Sequence, residues 1–108
     1  MTAIYEALAD RIHSELSDLD RVVNRVLHAW QKTERNLTDQ DVFLDSVALN
    51  LHGFYSGLER LFELIARHID QSLPFGETWH RDLLRLMSRE VADIRPAVIS
   101  QNNAFELD

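Results

Sequence analysis

A chain of 108 residues with 45% hydrophobic and 27% charged side chains can bury the core of one domain, and its composition excludes disorder as the main state. A net charge of −7 argues against a broad phosphate-binding surface, which needs clustered Lys and Arg, but leaves room for a small arginine site or a basic protein partner. The absence of cysteine removes disulfides and thiolate metal ligands and fits a reducing cytoplasm.

No apolar run approaches the ~20 residues needed to cross a bilayer. The start, MTAIYEALADR, contains acids and no apolar signal core, so it does not read as a signal peptide. Three glycines and two prolines are few for a turn-rich β protein. The expectation is therefore an all-α fold, with no membrane segment, in one domain spanning 1–108.

The first helix is marked by Ile4, Leu8, Ile12, Leu16, Leu19, Val23, Val26 and Trp30, spaced three or four apart along one stripe. It runs to about Lys32, where the polar stretch Thr33–Thr38 interrupts it, with Thr38 or Asp39 as the next cap. A second long helix is predicted from about Asp41 to Asp70 through Phe43, Val47, Leu51, Phe54, Leu58, Leu61, Ile65 and Ile69. Two long helices joined by a short connection should lie antiparallel.

The segment Leu51–Ala66, LHGFYSGLERLFELIA, is unusual for a helix interior. Gly53 and Gly57 stack on one face, and each costs about 0.5–1 kcal/mol relative to alanine. Close approach of another backbone or a bulky side chain is the expected compensation. Tyr55 and Glu59 share a face four residues apart, where a buried phenol and carboxylate would satisfy each other by one hydrogen bond.

Ser72-Leu73-Pro74-Phe75-Gly76 reads as a turn, and a shorter third helix opens near Thr78 with Trp79, Leu83, Leu84, Leu86 and Met87. Trp30 and Trp79 read as core or dimer anchors. Pro96, within Ile94–Ile99, stands where a fourth helix would start, yet Gln101, Asn102 and Asn103 follow and no fourth helix is expected to form. Two long helices and one short one leave an apolar face unmatched, so a partner subunit covers it or an element is missing.

Little in the chain reads as a chemical site. His13, His28, His52, His68 and His80 have no histidine or carboxylate partner at convincing metal-ligand spacing, although His52 and His80 fall in the most distinctive segments. None of Ser14, Ser46, Ser56 or Ser88 sits on a nucleophile elbow, and no glycine-rich phosphate loop is present. The expectation is no catalytic, cofactor-binding or metal-binding residue.

Three segments in order, LHGFYSGLERLFELIA, WHRDLLRLM and IRPAVIS, closely resemble the HepT-like branch of the HEPN superfamily. The resemblance runs from about Leu8 to Ser100, with Ala104–Asp108 matching an AFELD-like segment. It implies an antiparallel all-α bundle of the HEPN type, two long helices plus shorter ones, forming a homodimer without cofactor. It also implies a prokaryotic toxin acting on RNA and paired with an MNT-type nucleotidyltransferase, which in studied examples adenylylates a tyrosine of the toxin.

The family's nuclease motif is an arginine, four residues, a histidine, one residue and a tyrosine. Such metal-independent cleavage needs a proton acceptor, a proton donor and a cation for the phosphorane charge, roles that histidine and arginine suit. Here Arg95 is followed five positions later by Ser100, and Tyr5 and Tyr55 are the only tyrosines. Aligning the AFELD-like piece brings Asn103 near the motif tyrosine, so the junction of Gln101 and Asn102 reads as the place of a missing segment. The resemblance therefore implies a toxin ribonuclease only when that segment is present, and otherwise a noncatalytic adaptor that regulates the nucleotidyltransferase. An orphan helical dimer is the third reading.

Overall fold

The computed structural model describes residues 2–108 and is all-α, as the sequence predicts. It contains α1 (Thr2–Arg35), α2 (Gln40–His68), α3 (Trp79–Met87) and α4 (Gln101–Leu107). Among the described residues no strand occurs; Val91 and Arg95 form one isolated antiparallel bridge. The chain divides into two compact units, 1–59 and 60–108, and α2 contributes to both.

In the first unit α1 continues past the polar break. The Thr33 hydroxyl is buried and donates to the Ala29 carbonyl at 2.9 Å, so its polarity is met inside the helix. Asn36 closes the helix by donating both its backbone N–H and its side-chain amide to the Lys32 carbonyl, each at 3.0 Å. The short connection then returns the chain, and the Gln40 amide donates to the Thr33 carbonyl at 3.3 Å. A groove lined by His28 and Lys32 from α1 and by Phe43 and Asn50 from α2 places the two helices side by side.

The interior of this unit is small, with Leu19, Ala29 and Thr33 buried. Several apolar side chains expected inside are exposed, including Leu16, Val23 and Trp30 on α1 and Leu51 and Tyr55 on α2, and Leu27 and Leu44 are exposed beside them. Trp30, at 48% exposure, is therefore not a core anchor of this chain. The expected packing at Gly53 is also absent: the residue is exposed, and a Cβ there would meet nothing within 4 Å. Gly57 is buried. Tyr55 is 51% exposed rather than buried, and its ring meets Phe54 edge-on at 5.8 Å.

The second unit has the denser core. Leu61, Phe62, Leu64, Ile65 and Ala66 of α2 are buried in it, with Leu83, Leu84 and Met87 of α3 and Ala104 of α4. The end of α2 unwinds through a wider turn, in which the N–H of Asp70 reaches the Ile65 carbonyl and that of Ser72 the Ala66 carbonyl. Gln71 takes the left-handed conformation there (φ 54°), and Gly76 (φ 99°) makes the later turn into α3.

The C-terminal segment differs from expectation. No helix starts at Pro96, because Arg95 lies in the Val91 bridge, an extended state suited to the residue before proline. A fourth helix does form, beginning at Ser100. Its hydroxyl accepts the N–H of Asn103 at 3.0 Å, an N-cap that Pro96 could not supply. The resulting seven-residue α4 packs against α3, and the Gln101–Asn102 junction lies in its first turn.

Candidate functional site

The segment in which the resemblance would place a nuclease motif is organised around Arg95, and its geometry is structural. Arg95 Nε donates to Asp70 Oδ1 at 2.7 Å and Nη2 donates to Asp70 Oδ2 at 2.6 Å, a bidentate pair with both side chains nearly buried. The remaining donors reach backbone carbonyls, Nη1 those of Arg89 and Pro96 and Nη2 that of Leu86. The guanidinium is thus committed to holding the loop after α3 onto the end of α2. Val98 and Ile99 complete the attachment by donating their N–H groups to the Met87 carbonyl.

Ser100, at the position where a motif histidine would stand, is the cap of α4, and Asn103 supplies the N–H it receives. Neither offers a proton-transfer group with a pKa near neutrality, and no histidine is among the residues lining the adjacent groove. The arrangement clamps a loop and starts a helix.

Beside it a groove of about 580 Å³ is lined by Arg81, Arg85 and Arg89, with Gln101, Phe105 and Asp108 opposite. The three arginines recur every four residues, which follows one face of α3 and the turn beyond it. Arg81 is engaged by Asp108, its Nε donating to Oδ2 at 2.9 Å, and Asp82 accepts from the Thr78 hydroxyl at 2.9 Å. Phe105 is 82% exposed at the rim. The groove thus sets three guanidinium groups beside the carboxylates of Asp82 and Asp108, and no histidine lines it.

The other sequence candidates stay apart. His13, His28, His52, His68 and His80 are all exposed, and His80 meets Trp79 edge-on at 5.7 Å. Among the described residues no group of three or more His, Asp or Glu converges as a metal site would require. Tyr55 is exposed, so the expected buried phenol–carboxylate pair with Glu59 does not form. Sequence reasoning missed the Asp70–Arg95 pair, because nothing local links two residues 25 apart. It also passed over the Arg81, Arg85, Arg89 row, which the four-residue spacing shows once α3 is placed.

No curated protein and no solved structure matches this chain. A family model of HepT-like proteins matches residues 46–108, a span that takes in the glycine-bearing part of α2, the α3 arginines, the Arg95 clamp and α4. That match covers more than half of the chain, which therefore belongs to the HepT-like family.

Proposed function

We propose that this HepT-like protein is the toxin half of a prokaryotic HEPN/MNT toxin–antitoxin pair, working in the cytoplasm. The observation that carries the reading is the family match over 46–108, which contains all three resembling segments. The partner is an MNT-type nucleotidyltransferase. In this reading 1–108 is a single HEPN domain lacking a segment at Gln101–Asn102, and RNA cleavage belongs to the form that has the arginine–histidine–tyrosine motif there. Among the described residues no helix is long and apolar enough to cross a membrane.

A homodimer is part of the proposal, and the exposed apolar residues of the first unit support it. Leu16, Val23, Leu27 and Trp30 fall on one stripe of α1, and Leu44, Leu51 and Tyr55 on one stripe of α2. In both helices the stripe follows the inward residues in the same rotational sense. For an antiparallel pair of right-handed helices this puts both stripes on one side. Exposed apolar area of this extent is what a second copy would cover.

The second reading, a noncatalytic adaptor regulating the nucleotidyltransferase, is favoured by Arg95, whose donors are all engaged in structure. The deciding experiment expresses the gene together with its neighbours and takes the intact mass of the purified chain. A mass near 12.6 kDa, with nucleotidyltransferase binding and no RNA cleavage, selects the adaptor. A mass heavier by at least one helix, about 10–14 residues, together with cleavage, selects the toxin. A chain that neither cleaves RNA nor binds a nucleotidyltransferase overturns both.

A further inference from the structure

The outer face of α1 carries a line of basic side chains that no part of the functional reading uses. Arg21, Arg25, His28, Lys32 and Arg35 follow at intervals of four, three, four and three, and all are exposed. This spacing sets them on one stripe ~21 Å long at ~1.5 Å per residue. Glu34, the one acid in that span, lies off the stripe, on the side of Leu27 and Trp30. Arg21 pairs with Asp18, whereas Arg25, Lys32 and Arg35 have no ion pair among the described residues.

Two ordinary explanations fall short. The helix macrodipole favours cations in the last turn only, which accounts for Lys32 and Arg35 but not for Arg21, Arg25 or His28. A solvated face of a chain with net charge −7 would mix both signs. The accumulation of one sign on one stripe of this acidic protein needs another reason.

The stripe opens onto the groove between α1 and the first part of α2, about 460 Å³ in volume. Arg25, His28 and Lys32 line it together with Asn24, Ser46 and Asn50, and no carboxylate is among the lining residues. Cationic side chains beside short amides and a hydroxyl are the set that contacts phosphate and sugar oxygens. Ala29 and Phe43 are the only apolar residues of its lining, so the groove presents no cluster of apolar side chains on which a protein partner would close. Phe43 in the lining is half-buried, so no open phenyl or indole ring faces the groove for stacking unpaired bases.

We infer that this face binds the phosphate backbone of duplex or structured RNA without reading its sequence, with Arg25, His28 and Lys32 at the centre and Arg21 and Arg35 extending the contact. The surface stands on its own geometry and rests on the toxin reading only in naming RNA rather than DNA.

Fluorescence anisotropy of a labelled RNA duplex of about two turns, titrated with the intact chain at several salt concentrations, tests the inference. Binding should weaken as salt rises, with a log–log slope near −3 for three to four neutralised phosphates at about −0.9 each. Arg25→Glu with Lys32→Glu should weaken binding by roughly tenfold or more and flatten the slope by about two. Arg25→Lys with Lys32→Arg should preserve both, and circular dichroism checks that each variant keeps its helices. Absence of binding at about 50 mM salt, or full binding by the Glu variant, overturns the inference. So does equal competition by poly-glutamate, which would make the partner an acidic protein, or loss of binding only in Arg85→Glu with Arg89→Glu. The assay reads neither cleavage nor nucleotidyltransferase association, so its failure leaves the toxin reading standing, and failure of that reading leaves this surface standing.

Discussion

Arg95 and Asp70, 25 residues apart, meet in a nearly buried bidentate ion pair that ties the loop after α3 to the end of α2. Two carboxylate oxygens take two guanidinium donors, and three backbone carbonyls take the rest of the fork. Lysine cannot reproduce this planar, multi-donor arrangement. Removing one partner from a buried pair strands the other charge at a cost of ~3–5 kcal/mol. Arg95→Ala and Asp70→Ala should each lower stability by about that amount in urea unfolding, and Arg95→Lys should recover only part of it. Their double variant should be less unstable than the two losses added together, because the second truncation removes the stranded charge.

The glycines of this chain divide into opposite cases. Gly53 sits in the interior of α2 with open space where a Cβ would be, so Gly53→Ala should raise stability by about 0.5–1 kcal/mol through helix propensity. Gly76 also has open space, but its φ of 99° is one that L side chains rarely adopt. Gly76→Ala should therefore lower stability by about 1–2 kcal/mol through backbone strain alone. Parallel thermal melts of the two variants compare the effects directly, and shifts of the same sign would contradict the account.

Ser100 provides the side-chain cap of α4 through the Asn103 N–H. Ser100→Ala should cost about 1 kcal/mol and Ser100→Asp should restore most of it. Because α4 is a seven-residue helix, the loss should appear locally, as faster amide exchange from Asn103 to Leu107, before the global transition moves.

The apolar stripes of the first unit predict an assembly phenotype. Leu27→Glu together with Leu51→Glu puts charge where a second copy would pack. In light scattering after size exclusion, the parent chain should run as a dimer and the double variant as a monomer with unchanged helical content. A parent chain that is monomeric at high concentration would remove the dimer from the proposal.

The periodic helices were legible from the chain itself. A three-to-four spacing of apolar residues placed α1, α2 and α3 within a few residues of their observed bounds, because in a long helix that spacing lines up side chains whatever lies beyond. The boundaries that moved did so for local polar reasons. Thr33 kept α1 going by bonding back to Ala29, and Ser100 rather than Pro96 started α4. Both were readable as residues; their hydrogen-bond partners were not.

The absence of a histidine and tyrosine after Arg95 was likewise plain in the sequence. What tertiary structure decided was the use of Arg95 itself. A lone arginine in sequence suits a phosphate as well as a carboxylate, and only the fold brings Asp70 and three carbonyls within its reach. Burial was decided in the same way. Periodicity shows that an apolar stripe exists, but whether Gly53, Trp30 and Tyr55 are covered depends on packing against elements far along the chain or on another copy. Local pattern thus determined the helices, because their hydrogen bonds close within four residues. The clamp, the core and the open faces depend on contacts between distant residues and were set only by the assembled chain.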